Sequence, residues 1–346
     1  MRHMGSAIRT PTNGLTMRYR LFGQTGLRVS ELFLGTMTIP DAAACRRVVE
    51  AYADAGGNVL DTASAYGESE TMLGSVIDRR DRFLLATKYT LSRDAGDPNA
   101  SGNHRKNLVL SLEQSLRRLR TDYIDIYWVH LWDRHTPIEE TMRALDDIVR
   151  AGKVLYVGIS DAPAWIVARA NTLAQWRDWS PFAGVQVPYN LLTRDIEREL
   201  LPMAESLGLT VAAWSPLAGG VLSGVVDAPD GPGRSARVDP RALTARDRAA
   251  AAAVRAVAEE LGATPAQVAL AWTRARSAAV HPIMGINNTE QLAENLGALG
   301  LVLPPDAIRR LESAVEFQLG FPGDFIAECE PSSFVFGDTA TKVDGR

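Results

Sequence analysis

Two cysteines in 346 residues, Cys45 and Cys329, are too few and too far apart for a zinc site or a disulfide framework. A reducing, cytoplasmic setting is the simplest expectation. Positive charge is not in excess: 37 Lys and Arg face 41 Asp and Glu, a formal net charge of −4. No basic cluster overrides that balance, so a nucleic-acid partner is not expected. Arg117, Arg118 and Arg120 fall on the polar face of a helix and read as solvated surface. No run of about 18 apolar residues exists, which argues against a membrane-spanning helix. Residues 1–16 lack the apolar centre of a secretory signal and read as a disordered or added leader, with Met17 a plausible native start. No Gly-x-Gly-x-x-Gly follows a strand, so a Rossmann cofactor domain is not supported. What remains is ordinary for a globular protein, 46 % apolar and 23 % charged, and long enough for one large barrel or two domains.

Taken in order, Tyr19–Val29 reads as a β-hairpin around Gly23–Gly26. Strands are expected at 31–35, 58–63, 83–88, 123–129, 154–160, 184–190, 210–215 and 280–285. Between and after them, helical spacing of apolar residues marks 42–55, 69–79, 106–120, 138–151, 164–172, 196–207, 245–261, 265–275, 290–298 and 305–315. Asp41 is the expected cap of the first helix. Residues 90–103 read as a loop over the strand ends. The Gly/Pro/Asp-rich stretch 219–240 is longer than a connection needs and reads as a lid. A Gly/Pro/aromatic tail closes the chain. Eight strand–helix units with continuous apolar strands predict one α/β domain over 17–346. It is a single (β/α)8 TIM barrel, with the N-terminal β-hairpin over one mouth and extra helices near the C-terminus.

In such a barrel, chemistry gathers at the C-terminal strand ends. Asp61 ends the second strand and Tyr66 follows in a turn of small residues, Thr62 to Ala65. Lys88 ends the third strand and His130 the fourth. Singly, each has a plainer reading: a capping Asp, a turn Tyr, a snorkelling Lys, a core His. At successive strand ends they would share one small space. A phenol is a poor acid at neutral pH, and lowering its pKa by two to three units takes about 3–4 kcal/mol, within reach of one buried cation. Lys88 is expected to lower the Tyr66 pKa, Asp61 to hold the ammonium, and His130 to orient an acceptor carbonyl.

Asp61-Thr-Ala-Ser-Ala-Tyr66-Gly67 with Lys88 and His130 resembles the aldo-keto reductase superfamily in residue type, order and context, over roughly Tyr19 to Phe325. The resemblance implies carbonyl reduction by hydride from a nicotinamide cofactor, with Tyr66 as proton donor and no metal. Cofactor-binding positions that it implies are Gly35, Thr36 and Met37 after the first strand, then Asp61, Ser160, Asp161 and Gln186. Trp214 would stack on the nicotinamide, and Ser215, Leu217 and Gly219 would meet the pyrophosphate. Gly285, Asn287, Gln291, Glu294 and Asn295 fall at the adenosine end.

Three departures stand out. Asp161 replaces the usual Asn, Val225-Val226 replaces a common Lys-Tyr, and Asn287 stands where Arg often holds the 2′-phosphate. The last removes a contact worth about 1.5–3 kcal/mol. NADP is expected first, with NAD use credible. Met37, Tyr66, Tyr89, His130 and Trp132 are the expected substrate pocket, an apolar cleft rimmed by aromatics for a small-molecule carbonyl. Narrower alternatives are a keto-deoxysugar or secondary-metabolite reductase, or a nicotinamide-binding sensor like channel-associated subunits. A homo-oligomer is compatible with everything above.

Overall fold

The computed structural model describes residues 16–224, 239 and 241–342. The expected leader, apart from Thr16, lies outside these residues. So do most of the 219–240 stretch read as a lid and the Val225-Val226 departure.

Among the described residues ten strands form two sheets. β1 (Tyr19–Leu21) and β2 (Arg28–Ser30) pair antiparallel as the expected hairpin. The others are β3 (Phe33–Gly35), β4 (Val59–Asp61), β5 (Leu84–Tyr89), β6 (Ile124–Val129), β7 (Val154–Ser160), β8 (Phe182–Pro188), β9 (Thr210–Trp214) and β10 (Val280–Gly285). They close in chain order into an eight-stranded parallel barrel, β10 pairing with both β9 and β3. Between the strands run α1 (Ala42–Asp54), α2 (Ser69–Val76), α3 (Arg105–Leu119), α4 (Ile138–Arg150), α5 (Ala164–Arg177) and α6 (Leu200–Ser206). After β9 come α7 (Ala245–Leu261) and α8 (Pro265–Ala275), and after β10 come α9 (Thr289–Leu296) and α10 (Pro305–Ser313). The Asp41 side chain caps α1 by accepting from Ala44 N–H.

Strand alternation sorts the core into two layers. Phe33, Val59, Ala86, Ile126, Trp128, Ala212 and Ile283 fill the barrel, whereas Leu85, Tyr89, Tyr127 and Val129 pack outward against the helices. The hairpin plugs the N-terminal mouth: buried Phe22 meets Trp128 edge-on at 6.0 Å, and Gly23 N–H donates to Thr210 Oγ1 at 2.8 Å. Trp128 is accommodated because Gly158 has no side chain. A Cβ there would lie 2.3 Å from the indole.

Three expectations about elements are corrected. The helix expected over 196–207 breaks into a 3-10 turn at Asp195–Glu197 and α6, because Pro202 has no N–H and fits only in a first turn. The helix expected over 69–79 stops at Val76, and a 3-10 turn takes Arg80–Arg82. The helix expected over 164–172 runs on to Arg177, and the tail carries α11 at Gly323–Cys329 and α12 at Ser333–Phe336. Among the described residues no helix is long and apolar enough to cross a membrane.

Candidate active site

Alternation on β5 decides which side chains enter the C-terminal mouth. Ala86 faces the interior, so Lys88, two residues on, does too. Its ammonium is wholly buried and donates to Asp61 Oδ1 at 2.5 Å and to Thr62 O at 2.7 Å. The other oxygen of Asp61, at the end of β4, accepts from Gln186 Nε2 at 2.9 Å. Both carboxylate oxygens are thus satisfied, as burial requires. The turn beyond β4 is pinned by Ser64 N–H on Lys88 O (3.1 Å) and carries Tyr66 back over the lysine, whose Nζ lies 4.9 Å from the phenol ring centroid. His130 follows β6 and meets the Tyr66 ring edge-on at 5.7 Å. The four residues singled out by sequence therefore converge, three of them (Asp61, Tyr66 and His130) lining a cleft of about 360 Å³ with Lys88 beneath.

Tyr89 does not belong with them. As the neighbour of an inward lysine it must point to the opposite face. It is fully buried, stacked on Tyr127 at 5.4 Å, with its hydroxyl donating to Asn103 O. The expected pocket loses that residue. Trp132 is half-buried and does not line the cleft itself; it packs edge-on against Trp165, 5.7 Å away at the start of α5.

The electrostatics of the phenol also differ from expectation. Burial is the largest influence on Tyr66 and raises its pKa; Lys88 opposes this by charge and hydrogen bond, and Asp61 adds to the rise. The net direction is upward, so Tyr66 is held as a protonated donor rather than made acidic in advance. Burial would lower the Lys88 pKa, but Asp61 and Tyr66 outweigh it and keep the ammonium charged. Burial, then the Lys88 charge, pushes the His130 imidazole down to about 3. Its Nδ1 is buried with no hydrogen-bond partner.

A pH prediction follows from that imidazole. Its folded pKa lies below the unfolded value of about 6.5. Above pH 6.5 neither state is protonated there and the full stability is present. Between about 6.5 and 3 the unfolded chain takes up a proton that the folded protein refuses, so stability is lost as pH falls, at up to about 1.4 kcal/mol per pH unit. Thermal melts stepped through this window should lose part of their slope in His130→Gln. An unchanged slope would show the imidazole to be ordinary. Buried His281, pushed down to about 4, contributes in the same sense in both proteins.

One wall of the cleft is flat and open. Trp214 ends β9 with 38 % of its surface exposed, and its Nε1–H donates to Asp161 Oδ1 at 3.1 Å. Ser160, Asp161 and Gln186 lie around it on the cleft lining. Beyond it, Ser215, Ala218, Gly219 and Gly220 all have positive φ, a tight turn in which Ala218 N–H donates to Ser215 O at 2.9 Å, Gly219 N–H to Ser215 Oγ at 3.1 Å and Gly220 N–H to Leu217 O at 2.9 Å. Asn190 Nδ2 holds Ser215 O at 2.9 Å, and a Cβ on Gly219 would meet nothing within 4 Å. Gly35, Thr36, Met37, Leu217 and Gly285 complete the expected set on the lining. Gly35 is obligatory, since a Cβ would stand 2.9 Å from Ile283. An exposed aromatic face, the polar side chains of Ser160, Asp161 and Gln186 beside it and open space over Gly219 would suit a nicotinamide dinucleotide. Asn287, Gln291, Glu294 and Asn295 lie past Gly285 and do not line the cleft; Gln291 Oε1 accepts from Asn287 N–H at 2.8 Å, closing the start of α9.

Sequence reasoning missed several supports. Arg118, read as solvated surface, donates to Ser64 O in the Tyr66 turn and pairs with Glu70, which is fully buried and also accepts from Thr87. Thr38, Pro216, Gly220 and Ile283 line the cleft unannounced. Glu70 carried a faint signal, an acid on the core-facing side of a short helix; the glycine and proline carried none.

The profile of the Aldo/keto reductase family matches residues 31–316. An aryl-alcohol dehydrogenase of Pestalotiopsis microspora is 37 % identical over 92 % of this chain and 87 % of its own length. A norsolorinic acid reductase of Aspergillus flavus is 35 % identical over 91 % and 85 %. An NADP(+)-named aryl-alcohol dehydrogenase of Phanerodontia chrysosporium is 34 % identical over 90 % and 89 %.

Proposed function

Because this chain belongs to the aldo/keto reductase family, we propose that it reduces an aryl aldehyde or ketone to the alcohol at the expense of NADPH, with NADH as a weaker substitute. The observation that carries the reading is the buried Asp61–Lys88 pair lying directly beneath the Tyr66 ring. When bound, the cofactor supplies hydride to the carbonyl carbon. The chain's part is the proton and the geometry. Tyr66 gives its hydroxyl hydrogen to the carbonyl oxygen, and the developing phenolate is stabilised by the Lys88 ammonium 4.9 Å from the ring centroid. Neutral His130 donates from Nε2 to the same oxygen and fixes its approach. Asp61 keeps Lys88 charged and in place.

The aryl preference is supported by the rim. Met37 and Trp214 are exposed on the cleft lining; Leu131, next to His130, and Trp165, at the start of α5, are exposed as well, and Trp132 packs against Trp165. Burying a flat aromatic against such surfaces is favourable and geometrically selective. The names of the relatives point the same way. NADPH ranks first on one relative's name. Asn287 offers no guanidinium to a 2′-phosphate, so the margin over NADH is expected to be narrow.

Steady-state oxidation of NADPH and NADH with a panel of aryl and alkyl aldehydes tests the proposal. Turnover is expected with both cofactors and faster with aryl substrates. Tight cofactor binding with no turnover on any carbonyl would overturn it in favour of a nicotinamide sensor.

A further inference from the structure

Asp61 and Asp161 both face the cleft, but only the first is neutralised. Lys88 contacts Asp61 at 2.5 Å, whereas among the described residues no ion pair joins Asp161 to a cation. Asp161 is held firmly all the same. Its Oδ1 accepts from Trp214 Nε1 at 3.1 Å, its own N–H donates to Gln186 O at 3.2 Å, and its backbone sits at φ 47° between Ser160 and the start of α5. A fixed carboxylate therefore stands at the edge of the one exposed indole in the cleft.

We infer that Asp161 sets the redox bias of the site, favouring the oxidised, cationic nicotinamide over the reduced, neutral one. The inference rests on the cofactor reading above. Its physical basis is simple: the two ring states differ by one positive charge, and a carboxylate beside the platform interacts with that difference. In a partly buried cleft, a unit charge a few ångströms away changes the relative affinity by about 5- to 20-fold. Burial is the largest influence on the Asp161 pKa and raises it above the ordinary carboxylate range; hydrogen bonds to Trp214 and Ser160 and the Lys88 charge oppose that rise. The other ionisable groups lining the cleft are Asp61, already paired, Tyr66, held protonated, and His130, held neutral. Asp161 is thus the group whose ionisation changes the net charge there. A carboxylate that stabilises the oxidised ring makes the bound reduced ring the stronger hydride donor, so a site of this kind runs carbonyl reduction more readily than an uncharged one would.

Calorimetric titration of wild type and Asp161→Asn with NADP+ and NADPH, and with NAD+ and NADH, reads the bias as a ratio of dissociation constants. Asn keeps an oxygen for the indole and tolerates positive φ, so the platform survives and only the charge is removed. The preference for the oxidised form is expected to fall by about 5- to 20-fold in the variant. As an independent measurement, the wild-type ratio should decline as pH is lowered through the ionisation of Asp161, while the variant stays flat. Equal ratios in both proteins, or a wild-type ratio as flat as the variant's, would overturn this inference alone. Wild-type protein that binds neither form would overturn it together with the functional reading.

Discussion

Tyr66→Phe is expected to lower kcat for aryl aldehyde reduction by about 10²- to 10⁴-fold, the usual contribution of a positioned general acid, while cofactor affinity changes little. The reasoning is local. Phe keeps the ring that packs against His130 and lies over Lys88, and deletes only the hydroxyl. The proposed cofactor platform is Trp214, on another strand, and its support comes from Asp161. An effect confined to kcat and kcat/KM marks an interaction made in the transition state. Equal losses in turnover and in cofactor binding would show that Tyr66 is instead part of the binding wall, and the proton donor would have to be sought elsewhere.

Lys88→Met should produce the largest loss of stability among the site variants, about 3–5 kcal/mol in urea unfolding. Met fills a similar volume, so little cavity is created. The cost arises because Asp61, 3 % exposed, would keep its charge with only the Gln186 amide as partner. Pairing the change with Asp61→Asn removes the stranded charge and should recover most of the stability. Activity should not return, since no ammonium is left to stabilise the phenolate. A single Lys88→Met protein as stable as wild type would mean that water reaches Asp61. A double variant no better than the single would mean that packing, not charge, holds the pair together.

The two variants separate two uses of the same buried lysine. Its pairing with Asp61 is a structural necessity, present at all times. In the proposed mechanism its proximity to the phenol matters only when the proton leaves. Burial raises the Tyr66 pKa and so keeps the donor loaded until the acceptor oxygen develops charge. The expectation of an already acidic phenol counted the cation and omitted the desolvation.

Much of this protein is legible in its sequence, and the reason is that the relevant signals are local. A buried parallel strand must be an apolar run, and a helix outside it must repeat every three to four residues; eight such units leave little choice but a closed barrel. Asp61, Lys88 and His130 stood out because each ends an apolar run, where a charge or imidazole has no structural reason to be. What local signals could not carry was decided by neighbours distant in sequence. Tyr89 is the exception, since strand alternation beside an inward Lys88 is itself a local signal that excludes it from the cleft. Arg118, forty-eight residues from Glu70, left the solvent to brace the Tyr66 turn. Trp165 met Trp132, and the aromatic tail coiled into helices. Residue order alone determined the barrel and the identity of its polar strand ends. Only the folded chain decided how deeply each is buried and what lies beside it, because desolvation and charge are sums over all the atoms that tertiary packing brings near.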